Sequence, residues 1–193
     1  MAGIIDYKRF PFGDEPGVAP LISGDGARAY YRLGFLYAAQ DAATLLVERR
    51  GENASAMPIL FLYRHYIELA LKDVVAAAGA FAIELSDEKF GHQLRPLWAE
   101  ASRVFDNYRR EKSEVDEAVA ELVELDQRAD AFRYATTAAN QPHFEKIGAV
   151  DIPALIEKLG SVAAVVEKLL DQMEQDEAEM NAEIKRLMEK DPY

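Results

Sequence analysis

Cysteine is absent from all 193 residues of the chain. That excludes a disulfide framework, a thiolate zinc site and a cysteine nucleophile. Long apolar runs are absent too. No stretch approaches the ~20 uninterrupted apolar residues of a membrane helix. The amino terminus, Met1 to Phe10, carries no apolar core of secretion-signal length, so a cytoplasmic chain is expected. The phosphate-binding glycine loops Gly-x-Gly-x-x-Gly and Gly-x-x-x-x-Gly-Lys-Ser/Thr do not occur, nor do His-Glu-x-x-His or Gly-x-Ser-x-Gly. Histidine is scarce: His65, His92 and His143 are spaced too widely for a local metal signature. No cofactor and no metal are therefore expected.

Basic residues are also in deficit, 22 against 34 acidic, for a formal charge of −12. A field of that sign repels nucleic acid at long range, so such binding needs a strong local basic patch. The candidates are small: Lys8 with Arg9, and Arg109, Arg110 and Lys112 near a helix end. The helix dipole already explains cations at that second place. What remains is globular composition, half hydrophobic and 29% charged, enough for one good core.

The pattern along the chain is helical. Residues 1–24, broken by Pro11, Gly13, Pro16, Gly17 and Pro20, read as an irregular arm. A first helix spans about Ala27 to Arg50, capped by Asp25 or Ser23 and stopped at Gly51. A second runs from Met57 or Pro58 to near Gly79 and is apolar almost all round, as expected of a bundle's buried centre. A third covers Gln93 to Arg110. A fourth starts at Ser113, whose spacing to Asp116 fits a capping box, and reaches about Asp130. Residues 134–150 lack helical period and read as a long loop or an irregular β-hairpin. From Asp151 and Pro153 a last helix runs to about Glu189. Its residues Leu159, Val162, Val166, Leu169, Met173, Met180, Ile184 and Leu187 step by threes and fours, except where Asp176 and Glu177 interrupt. The fold class expected is an all-α, up-and-down bundle of about five helices over residues 25–173, with 174–193 an acidic extension. That extension either docks along its own molecule or pairs with a second copy, and its apolar strip makes a homodimer the expectation.

Four ionisable residues interrupt the apolar second helix. At about 100° per residue, Arg64, Glu68, Lys72 and His65 fall within about 100° of one another. Buried charge is costly unless paired, so this stripe either forms an internal salt-bridge network or lines a cleft. Gly91-His92-Gln93 sets a histidine directly before the third helix. Asp126 to Tyr134 alternates charge with aromatics, where Arg133 can reach a carboxylate such as Glu68 or a bound anion. Asp126 and Asp130 suit a metal only with a third carboxylate.

The string Phe61-Leu-Tyr-Arg64-His65-Tyr-Ile-Glu68-Leu-Ala-Leu-Lys72 resembles HEPN-type proteins. So do Gly91-His92-x-Leu94-x-x-Leu97-Trp98 and Phe132-Arg133-Tyr134 before a loop ending in Val150-Asp151. This helical superfamily occurs in bacterial defence, toxin–antitoxin and nucleotide-handling systems, and the similarity spans residues 57–155. It implies a four- to five-helix bundle, often dimeric. HEPN ribonucleases carry Arg, four to six residues, then His. Here Arg64 and His65 are adjacent, nine residues separate Arg133 from His143, and His92 has no arginine at that distance before it. The expectation is a non-catalytic HEPN-like module that binds a protein partner or a small anionic or nucleotide ligand through Arg64, Glu68, Lys72, His92, Arg133 and Tyr134. The alternatives are a metal-independent ribonuclease using Arg64 or Arg133 with His65 or His92, and a structural dimerisation protein.

Overall fold

The structure is a computed structural model, and it describes residues 27–48, 55–85, 90–126, 128–144 and 150–190. The expected N-terminal arm, the Asp25 or Ser23 cap and the Gly51 stop lie outside these residues. The chain is an all-α bundle: α1 Ala27–Glu48, α2 Ala56–Ala78, α3 Leu94–Asn107, α4 Ser113–Leu125 and α5 Ile152–Lys190. Among the described residues there is no helix long and apolar enough to cross a membrane.

α2 sits at the centre because its composition leaves it nowhere else to go. Apolar on nearly every side, it packs against α1, α3 and α5, while α4 closes the bundle against α3 and α5. Ile59, Leu60, Tyr66, Ile67, Leu71 and Val74 of α2 meet Leu36 of α1, Leu97 and Phe105 of α3 and Leu159, Val166 and Leu169 of α5 in one continuous core. Each large side chain buried there stabilises the fold by ~1.5–3 kcal/mol.

The helix ends differ from the sequence expectation in instructive ways. α3 stops at Asn107 in a Schellman turn. Arg109 takes the left-handed conformation (φ 50°), its N–H donates to Asp106 O, and Arg110 N–H donates to Phe105 O. The Ser113–Asp116 capping box does not form. Ser113 is already inside α4, and Asp116 instead accepts a 2.5 Å hydrogen bond from Trp98 Nε1 of α3. α4 ends at Leu125 rather than near Asp130, because Asp126 Oδ1 takes the backbone N–H groups of Asp130 and Ala131 and Ala129 turns left-handed (φ 63°). Residues 134–144 hold only an isolated bridge between Thr136 and Pro142, so the hairpin alternative reduces to a single tight loop there. Asp151 caps α5 as its position suggests, accepting from Ala154 N–H at 3.1 Å.

Candidate functional site

The polar stripe of α2 is buried and paired on its inner side. Arg64 Nη1 donates to Glu68 Oε2 at 3.1 Å and Nη2 to the carbonyl of His92 at 2.8 Å. Arg64 Nε lies 3.0 Å from Asp126 Oδ2, a charge contact off the line of a good hydrogen bond. The guanidinium therefore ties α2 to the turn before α3 and to the end of α4.

Glu68 is the hub. Its side chain is 1% exposed, and Oε1 accepts both from Lys72 Nζ at 2.7 Å and from His92 Nδ1 at 2.8 Å. Burial pushes the carboxyl up, but the hydrogen bonds from Lys72 and His92 outweigh it and hold Glu68 below the usual carboxylate range. A charged Glu68 can only accept, so it fixes the proton of His92 on Nδ1. The His92 side chain is itself 71% exposed. Its Nε2 edge is consequently turned toward solvent, as is part of Lys72.

His65, the other histidine of the stripe, is held differently. It meets Phe35 edge-on, 4.4 Å between ring centres, and stacks on Phe61 at 5.8 Å. Burial lowers its pKa. Glu68 opposes that, while His92, Arg64 and Lys72 add to it. The folded chain thus binds this proton less tightly than the unfolded chain does. Stability should be full above the unfolded value of about 6.5 and should drain as pH falls from there toward the folded pKa. His65→Phe should flatten the urea midpoint across that interval. Glu68 acts in the same direction but lower, below about pH 4.3, so the two windows separate. An unchanged slope just below pH 6.5 in His65→Phe would contradict this assignment.

Arg133 does not reach Glu68. Its Nε and Nη2 donate to Ala129 O at 2.9 and 2.5 Å, and its guanidinium lies over the rings of Phe61 and Tyr134 at 5.9 and 5.3 Å. The link to the stripe runs instead through Phe61, one turn before His65 on α2. Tyr134 is exposed beside it. Asp126, weighed with Asp130 as a metal pair, is committed to Arg64 and to two backbone donors, while Asp130 faces His143 at 3.9 Å. Among the described residues no three His, Asp or Glu side chains gather as metal ligands do.

No family model, no curated protein and no solved structure matches the chain.

The bundle holds a second network that sequence reasoning missed. Arg32 of α1 donates from Nε and Nη2 to the two oxygens of Glu167 of α5, at 2.9 and 3.0 Å, and from Nη1 to Asp73 of α2. Tyr66 O–H donates to Glu167 at 2.9 Å, and Arg28 reaches Asp73 at 3.0 Å. Burial works against the Arg32 charge, but Glu167 and Asp73 outweigh it and hold the guanidinium more firmly protonated. Burial and then the Glu167 charge push the Tyr66 hydroxyl well above its usual pKa. Arg32, Glu167 and Tyr66 are spent on one another and on Asp73, so this network clamps three helices, with Arg28 largely exposed at its edge.

Proposed function

We propose that the chain is a HEPN-like helical binding module that takes a small phosphate-bearing ligand, nucleotide in class, and does not cleave it. The observation that carries this reading is the division of labour in the α2 stripe. Arg64, Glu68 and Asp126 are spent on one another and on the backbone inside the protein. His92 and Lys72 are anchored by Glu68 yet keep polar groups facing outward. When protonated, His92 offers Nε2–H beside the Lys72 ammonium, two donors suited to a phosphate or carboxylate. Further along the same side of α2 lie Phe61, Arg133 and Tyr134, aromatic faces with a cation among them, of the kind on which a base stacks. Such a ligand suits a chain of net charge −12 better than a long polyanion, because a small ligand meets only the local cations.

The ribonuclease reading asks Arg64 to stabilise charge on a reacting phosphate. Arg64 is buried, with Nη1 and Nη2 hydrogen-bonded inside the protein and Nε turned against Asp126, which weighs against that role. Calorimetric titration with a nucleoside 5′-monophosphate and with inorganic phosphate at low salt tests the proposal. Binding of the nucleotide is expected, roughly tenfold or more weaker in Lys72→Ala with Arg133→Ala. Structured and single-stranded RNA should survive incubation with and without a divalent metal. Cleavage abolished by His92→Ala would overturn the non-catalytic assignment in favour of the nuclease. Absence of nucleotide binding would overturn the ligand.

A further inference from the structure

α5 outruns the bundle it closes. Its buried ladder, Leu155, Leu159, Val162, Val166, Leu169 and Met173, ends beside Asp176, which is half-buried and accepts from Gln172 Nε2 at 2.7 Å. From Glu177 to Glu189 every residue is exposed. That is about 20 Å of helix exposed along its length among the described residues. A helix surrounded by water is normally polar all round, and one this short is marginal without packing. This one instead continues the bundle's seam in step, with Met180, Ile184 (48% exposed) and Leu187 (57% exposed) on one side and Met188 beside them. Side chains at that spacing form a strip fitted to another helix.

The charges along the segment state which helix. Glu174, Asp176, Glu177 and Glu179 precede the strip, whereas Lys185 and Arg186 sit within its far half, with Glu183 paired to Arg186 at 3.4 Å. A parallel copy would lay acid on acid and base on base. An antiparallel copy sets each acidic half along the basic half of the other. Centred near Ala182, that arrangement places Met180 of one copy at the level of Ile184 of the other, and Lys185 at the level of Glu179.

We infer that residues 174–189 of α5 form a self-recognition helix that pairs antiparallel with the same segment of a second copy of this chain. The interface uses Met180 and Ile184 for its central contact and the reversed charges for direction. It lies away from the α2 stripe, so it does not depend on the ligand assignment and each copy keeps its own stripe.

Sedimentation equilibrium of the full chain over two decades of concentration tests the pairing. A reversible monomer–dimer equilibrium is expected. Met180→Glu with Ile184→Glu should weaken it roughly tenfold or more while leaving the bundle's thermal midpoint unchanged, because both positions lie beyond the core. Lys185→Glu with Arg186→Glu should weaken it several-fold at low salt and less at high salt. Direction is read from spin labels on single cysteines, which are unique because the native chain has none. Labels at Asn181→Cys should approach closely. Labels at Gln175→Cys, seven residues from the centre, should stand about 20 Å apart along the axis. Equal short distances at both sites would mean a parallel pair and overturn the inference. So would a monomer at every concentration, or a dimer indifferent to Met180→Glu with Ile184→Glu.

Discussion

Replacing Glu68 by alanine should destabilise the protein by about 3–5 kcal/mol, measured by urea unfolding near neutral pH. The size follows from where the carboxylate sits and from what it holds. Glu68 is essentially inaccessible, and it accepts from Arg64, Lys72 and His92 at once. Lys72 and His92 can turn to water when it is lost, since both are partly exposed. Arg64 cannot: it is left buried with Asp126 and one carbonyl, without the carboxylate that accepts from its Nη1. The same logic sets the contrast. Lys72→Ala removes a cation already a third exposed and should cost under about 1 kcal/mol. His92→Ala should be similarly mild. If Glu68→Ala unfolds with its parent, the stripe is not the joint described above.

Arg32→Ala should cost about as much, again about 3–5 kcal/mol, and for a sharper reason. Its loss leaves two carboxylates, Asp73 and Glu167, close together in a mostly buried place. Arg28 can still serve Asp73, but among the described residues Glu167 keeps the Tyr66 hydroxyl alone. The remedy is correspondingly specific. Arg32→Met combined with Glu167→Leu removes the charge along with its partner and should recover most of the loss, because an apolar replacement of a buried pair is often neutral. Failure of the double variant to recover would mean the cost lies in packing or in Asp73, not in an orphaned Glu167.

The two networks were unequally legible in the sequence. Arg64, Glu68 and Lys72 betray themselves by angle: charges confined to one stripe of an apolar helix announce that something compensates them. His92 was visible as a histidine at a helix start, though not that its carbonyl, besides its ring, would be used. Asp126 was noticed but misassigned, since helical period carries α4 on toward Asp130 and gives no sign that a carboxylate will turn back to cap the following turn. Arg32, Asp73 and Glu167 were not seen at all. They lie 41 and 135 residues apart along the chain from Arg32, and no local period links positions that meet only when three helices pack. Asp73 also stands beside Lys72, where it reads as an ordinary solvated charge. The fold was easier because each helix states its own buried face. α2 is apolar almost all round, and α5 resumes its three-and-four step at Met180, beyond the last buried residue of the bundle, Met173.

Glu68, a buried carboxylate, fixes the His92 proton on Nδ1 and leaves Nε2 facing outward. Nitrogen-15 spectra of the histidine side chains read this directly above neutral pH. The wild type should show His92 as the Nδ1–H tautomer, and Glu68→Gln should shift it toward the Nε2–H form ordinarily favoured in water. A wild-type His92 already in the Nε2–H form, unchanged by Glu68→Gln, would contradict the account.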